Sequence, residues 1–232
     1  MPQGSVLRPP LFIVYTDDLS SIVDSNLVTL TFADDTKLLS KISCVSDKTQ
    51  LQHNLNKIIT YSKSNNMELN SKKFELLSYN LQTKNSNQLL MKELPFHTDA
   101  MIYSAEGITI EPSPLVRDLG IYINEKLDWT NHYNIIVTKA KRMSGWIFSS
   151  FHSRNHNVML VLFKSLVRSG LEYGCEIWFP YLNKDIIYIE QVQRSFTNRI
   201  SGLQDLNYWN RLKNFFFTKK KRKNNYHACL EG

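Results

Sequence analysis

Hydrophobic positions along the chain change period several times, and each change predicts a different element. Residues 9–24 place Leu11, Phe12, Tyr15, Leu19, Ile22 and Val23 near helical spacing. Pro9 and Pro10 stand at the start, where a missing N–H costs least. Val28-Thr29-Leu30-Thr31-Phe32 and Thr36-Lys37-Leu38-Leu39 are short runs of apolar and β-branched residues flanking Ala33-Asp34-Asp35. That pattern predicts a β-hairpin with the acids at or beside its turn. Helical period returns over 47–64, with Leu51, Leu55, Ile58 and Ile59 as the stripe and Asp47 as the expected N-cap. A strand is expected from Phe74 to Tyr79, after an Asn70-Ser71-Lys72-Lys73 turn, and a polar loop or linker over roughly 82–100. Residues 101–123 suggest two or three strands punctuated by Gly107 and Pro112-Ser113-Pro114. Beyond about 130 the period stays helical, with helices expected at 131–150, 155–169, 170–178 and 184–201. The expected fold class is therefore mixed α/β first and all-α afterwards, with a boundary near 125.

Composition narrows the class. A chain of 232 residues with 42% apolar and 12% aromatic positions can bury a real core. The formal charge is +7 and the pI about 9.2, which attracts polyanions without identifying one. Cys44, Cys175 and Cys229 are scattered, with no C-x-x-C pair, which argues against a disulfide scaffold or structural zinc and suits a reducing compartment. No run of about 18 apolar residues suggests a membrane span. Met1-Pro2-Gln3-Gly4-Ser5 lacks the regions of a signal peptide, so an intracellular protein is expected.

The candidate chemistry lies in the acid pair. Neighbouring side chains on a strand face opposite ways, so only a tight turn brings adjacent acids to one cation. Hard carboxylate oxygens favour Mg²⁺, which takes remaining ligands from water and substrate phosphates. Two such ions can clamp the attacking and leaving oxygens of phosphoryl transfer. An isolated Asp-Asp is more often simply a good turn.

The surrounding blocks change that balance. Pro2-Gln3-Gly4-Ser5-Val6-Leu7-Arg8-Pro9-Pro10-Leu11-Phe12 resembles the P-Q-G-S-x-L-x-P-x-L-F segment of non-LTR retrotransposon reverse transcriptases. Phe32-Ala33-Asp34-Asp35 resembles the family's [FY]-A-D-D box, and Leu69-Asn70-Ser71-Lys72-Lys73 its L-N-x-x-K block. Val116-Arg117-Asp118-Leu119-Gly120-Ile121, then Leu127-Asp128-Trp129 and His132, resemble the segment leading into the thumb. Leu171-Glu172-Tyr173-Gly174 with Trp178 and Pro180, and Gln191-Val192-Gln193-Arg194, resemble jockey-like thumb regions. Five blocks in the family's order cover most of residues 2–212.

The resemblance implies an RNA-directed DNA polymerase. Its parts would be a partial palm (1–124) carrying the Phe32–Asp35 hairpin, a helical thumb-like region (125–212) and a basic tail (213–232). It implies Asp34 and Asp35 as Mg²⁺ ligands, with Asp34 foremost. Lys73 would lie near the triphosphate as a possible proton donor, Gln3 and Gly4 against nucleotide and template, and Phe32 packed beneath the hairpin. RNA template, DNA primer and deoxynucleoside triphosphates are the implied partners, and the nucleus the implied location. The family's other metal-binding aspartate belongs to a strand upstream of the P-Q-G block. The chain therefore reads as a C-terminal fragment, inactive alone, with Asp17 and Asp18 as surface or helix-end acids. Arg8 and Pro10 depart from the family pattern, and the run Lys219-Lys220-Lys221-Arg222-Lys223 fits it poorly. That run is a solvated tail, a contact to a nucleic-acid backbone or a nuclear address. Two other readings stay open: a non-catalytic nucleic-acid-binding remnant, and a decayed element with no retained role. Trp129, Trp146, Trp178 and Trp209 are expected in the thumb core.

Overall fold

A computed structural model describes residues 6–79 and 103–216, which form two compact units, the first reaching Ser113 and the second running from Pro114 and including Tyr79. Gln3, Gly4, the stretch 82–100 and Lys219–Lys223 lie outside the described residues.

The first unit opens with α1 (Arg8–Thr16) and α2 (Leu19–Ile22) rather than one helix through residue 24. Asp17 and Asp18 separate them, and local bonds favour the break. Thr16 Oγ1 donates to the Phe12 carbonyl at 2.9 Å, and Ser21 Oγ to that of Asp18 at 2.6 Å. Such side-chain bonds compete with the helical ladder. The Asp18 carboxylate accepts the Tyr61 hydroxyl, an anchor outside the helix, and this bond with the partial burial pushes the Tyr61 pKa up to about 12.

Strands β1 (Val28–Phe32) and β2 (Asp35–Leu39) pair antiparallel, with Val28 opposite Leu39 and Phe32 opposite Asp35. Helix α3 (Val45–Ser64) starts two residues before its expected position. Asp47 therefore stands at the third helical position instead of the N-cap, which is Cys44. From there its Oδ2 reaches back to accept the Ser43 and Cys44 N–H groups at 2.7 and 3.0 Å, and these bonds hold its pKa below the usual carboxylate value. Leu19, Val23 and Leu27 pack on Ile58 and Tyr61 of α3. Fully buried Asn54 fixes the approach to β1. Its Oδ1 accepts the Asp24 N–H, and its Nδ2 donates to the Asp24 carboxylate and to the Gln50 carbonyl, each at 2.9 Å.

The segment Phe74–Tyr79 is not a strand. Among the described residues its ladder contact is a parallel bridge between Leu76 and Pro112, where the Ser113 N–H donates to the Leu76 carbonyl at 2.8 Å. Proline has no N–H to extend the ladder. β3 (Tyr103–Ala105) and β4 (Ile108–Ile110) form a second ribbon. Its inner residues Tyr103, Ala105 and Ile110 cover Ile59 of α3. Gln52 pairs with both backbone groups of Ser104, at 2.8 and 2.9 Å.

The second unit begins with a third ribbon, β5 (Leu115–Asp118) and β6 (Ile121–Asn124). Ile121 is buried among helical residues, so this ribbon packs with the helices C-terminal to it. Thereafter every regular element among the described residues is helical. α4 spans Thr130–Ser150 and α5 His156–Leu162, continued by a π-helical stretch, Phe163–Arg168, and the turn α6 (Ser169–Leu171). Next come short α7 (Cys175–Trp178) and then α8 (Asn183–Thr197). A final helix, α9 (Tyr208–Phe216), is absent from the sequence expectations and crosses the expected boundary at 212. Asn207 marks its start, its Oδ1 accepting the Asn210 N–H at 2.9 Å. The core joins Val137 and Ile147 of α4 to Met159, Phe163, Val192, Phe196 and Ile200. Trp178 belongs to that core and Trp129 packs against it. Trp146 and Trp209 are more than half exposed, contrary to expectation, because their helices turn those positions away from the core.

Candidate functional site

The β1–β2 register settles where the acids stand. With Phe32 opposite Asp35, the loop is two residues long, Ala33-Asp34, and Asp35 is the first residue of β2. Ala33 takes φ 52°, the left-handed conformation that two-residue hairpin loops demand at their first position. Both aspartates are exposed. Two carboxylates therefore stand at one ribbon end with full access to solvent, cations or a polyanion's counterions.

Phe32 does not pack beneath the hairpin; it is 63% exposed. Val28 and Leu30 share its face by strand alternation and are also exposed, because among the described residues the ribbon has only two strands and nothing covers this side. Lys73 closes the 3₁₀ turn Ser71–Lys73, its N–H donating to the Asn70 carbonyl at 2.9 Å, and its side chain is exposed. Among the described residues, no hydrogen bond or ion pair joins Lys73 to Asp34 or Asp35, and no group of three or more His, Cys, Asp or Glu side chains is placed to hold a metal. No helix among them is long and apolar enough to cross a membrane.

In the second unit, the sequence blocks that carry the family resemblance meet one another. The β5–β6 loop is Leu119-Gly120, both at positive φ (44° and 89°). Tyr173 braces it, donating its hydroxyl to the Leu119 carbonyl at 2.9 Å. A Cβ on Gly120 would lie 3.2 Å from the Tyr173 ring, and one on Gly174 would lie 2.8 Å from Ile121 Cδ1. Trp178 Nε1 donates to the Tyr173 carbonyl and the Tyr133 hydroxyl to that of Trp178, each at 2.9 Å. Asp128 receives Asn124 Nδ2 at 3.1 Å and the Thr130 N–H at 3.0 Å, bonds that hold its pKa down and set the entry into α4. Sequence reasoning does not single out Tyr173 and Gly174 as partners of the 116–121 block. The glycines in both blocks are the available signal, since each marks a left-handed residue or a close approach.

Comparison with known proteins is consistent with this reading. Residues 1–97 match the family "Reverse transcriptase (RNA-dependent DNA polymerase)". Over 213 residues the chain is 23% identical to the probable RNA-directed DNA polymerase from transposon X-element of Drosophila melanogaster, covering 88% of this chain and 22% of the relative. It is 24% identical to the RNA-directed DNA polymerase from mobile element jockey of the same species, again over 213 residues, covering 87% of this chain and 22% of that protein. The jockey polymerase of Drosophila funebris is 22% identical over 218 residues, with 87% and 22% covered. The chain thus spans less than a quarter of the length of these relatives. No solved structure matches it significantly. The matched residues include the acidic turn, and over most of its length the chain is similar to RNA-directed DNA polymerases of jockey-like retrotransposons.

Proposed function

We propose that the chain is the palm-end and thumb portion of an RNA-directed DNA polymerase, and that Asp34 and Asp35 are its share of the metal site. The observation that carries this is the exposed acid pair at a two-residue β-turn, inside residues 1–97. In this reading residues 1–124 are a partial palm, 125–212 a thumb-like region and 213–232 a basic tail. Reverse transcriptases use divalent ions and bind a nucleic-acid template and nucleotides. Mg²⁺ is the ion proposed here, because the donors are hard carboxylate oxygens. When bound, it supplies positive charge to triphosphate oxygens in nucleotidyl transfer. Asp34 and Asp35 hold the carboxylate side, Lys73 faces the leaving phosphates, and Gln3 and Gly4 line the nucleotide and template. RNA template, DNA primer and deoxynucleoside triphosphates are the proposed partners, and the nucleus the proposed compartment.

One turn supplies carboxylates from one side only, whereas a two-ion clamp takes them from more than one strand. The 232-residue polypeptide is therefore proposed to be inactive by itself. The uncovered Val28, Leu30 and Phe32 face supports this, since it offers a place for further β-structure. The test has two arms. The chain with Mg²⁺, primed template RNA and deoxynucleotides gives background incorporation. A chimera joining it behind the preceding portion of a jockey polymerase incorporates nucleotides, and Asp34→Asn abolishes this. A chimera insensitive to Asp34→Asn would refute the assignment.

A second reading, non-catalytic nucleic-acid binding, draws on the +7 charge and the exposed Lys139, Lys141 and Arg142 of α4. It predicts that affinity for an RNA–DNA duplex falls steeply with salt, as phosphate contacts release counterions.

A further inference from the structure

Trp146 has no part in the polymerase reading. Tryptophan is normally well buried, yet this one is 52% exposed. The ring is nevertheless held in place. Its centroid lies 6.2 Å from that of Phe151 with the planes at 82°, and Phe151 packs against the helical core. Arg154 fixes that turn, donating to the Phe151 carbonyl at 2.6 Å and to the Phe148 carbonyl at 2.7 Å. An edge-to-face contact on a half-exposed ring leaves indole surface open to solvent. Cations stand beside it at helical spacing. Arg142 precedes Trp146 by four residues and Lys139 precedes Arg142 by three, so all three share one face of α4, with successive Cβ atoms about 5–6 Å apart. Both cations are exposed, and neither pairs with an acid among the described residues. Residues 129–171 carry Lys139, Lys141, Arg142, Arg154, Lys164 and Arg168 and no aspartate or glutamate. At its Lys139 end the stripe borders a cleft of about 470 Å³, whose walls include buried His132, Tyr173 and a further cation, Arg117.

We propose that the Lys139–Arg142–Trp146 face of α4 binds an unpaired nucleic-acid strand, with a base stacked on the indole and neighbouring phosphates on the two cations. Two observations choose this partner. Cations on an acid-free stretch repel basic surfaces and complement a polyanion. An indole projecting from a helix takes a base only where that base has left its own stack, which a single strand permits and the interior of a duplex does not. Such binding rests on the nucleic-acid-binding reading and narrows it, since duplex phosphates alone require no exposed ring. It uses no residue of the acidic turn.

The test is fluorescence anisotropy of the full chain with a dye-labelled oligouridylate and with a blunt RNA–DNA duplex of equal length, each across a salt series. Trp146→Ala is expected to weaken oligouridylate binding about tenfold, within the range of one base–aromatic stack, and to leave the salt dependence unchanged. Trp146→Phe keeps a ring and is expected to recover most of the affinity. Arg142→Gln and Lys139→Gln are each expected to flatten the slope of log affinity against log salt by about 0.7, the effect of one phosphate contact to a single strand. Duplex affinity is expected to be indifferent to Trp146. The basic tail is common to every variant, so the differences between variants carry the result. Oligouridylate affinity unchanged by Trp146→Ala, equal losses for strand and duplex, or a loss that Trp146→Phe does not recover would overturn the stacking site and leave nucleic-acid binding standing. Failure to bind either ligand would remove both.

Discussion

Gly174→Ala isolates the contact that joins the β5–β6 ribbon to the helical core. Gly174 has φ 65° and ψ 25°, and a Cβ there would sit 2.8 Å from Ile121 Cδ1. Two penalties therefore add. Holding an L-residue in the left-handed region costs about 1 kcal/mol, and forcing a methyl into a packed site costs about 1–3 kcal/mol. Ile121 is 5% exposed, so its terminal methyl has little room to retreat. The expected loss is about 2–4 kcal/mol. Gly202 provides the control in the same unit: φ is 80° and nothing lies within 4 Å of its Cβ position, so Gly202→Ala should lose only about 1 kcal/mol. Ile121→Val removes the obstructing methyl, and in that background the Gly174→Ala penalty should fall to the Gly202 level. Urea unfolding of the full chain, followed by tryptophan fluorescence, compares these four variants with the unsubstituted protein. Equal losses at Gly174 and Gly202, or a Gly174 penalty unchanged by Ile121→Val, would refute the packing argument.

Three further outcomes are expected. His132 titrates near 4 when folded and near 6.5 when unfolded, so the unfolded chain binds more protons between those values. Stability should be full above pH 6.5 and fall by about 3 kcal/mol as pH drops to about 4; a flat profile of unfolding free energy over that window would contradict the burial assigned to His132. Asn54→Ala removes three hydrogen bonds from a buried position and should cost the first unit about 2–3 kcal/mol, read by denaturant unfolding; a change under about 1 kcal/mol would be inconsistent with its role. Ala33→Gly relieves the left-handed strain at φ 52° and should leave the ribbon's amide exchange as protected or more so, whereas a loss of protection would place the turn elsewhere.

Long periods are legible in the sequence and short-range competition is not. Helices expected at 47–64, 131–150 and 184–201 are found at Val45–Ser64, Thr130–Ser150 and Asn183–Thr197, because apolar stripes over several turns leave little freedom. The break at Asp17-Asp18 is hidden because it depends on Tyr61, more than forty residues away, as well as on local serine bonds. Phe74–Tyr79 has strand composition but, among the described residues, a single bridge, a matter of partners rather than propensity. α9 escapes sequence reasoning because nine residues are too few to show a repeated stripe and an asparagine such as Asn207 suits a loop as well as a cap. At the candidate site, adjacent acids between two β-branched runs indicate a turn. The exposure of Phe32 is not readable, since it depends on what covers the ribbon. The cleft around His132 is equally invisible, because its walls come from separate stretches between 117 and 173.

The measurement closest to the central assignment is NMR relaxation of the ¹⁵N-labelled chain during Mn²⁺ titration, Mn²⁺ serving as a paramagnetic stand-in for Mg²⁺. Amides of residues 33–36 should broaden first, with the effect reversed by excess Mg²⁺ and abolished by Asp34→Asn together with Asp35→Asn. Broadening centred elsewhere, or persisting in the double variant, would contradict a divalent-metal site at the β1–β2 turn.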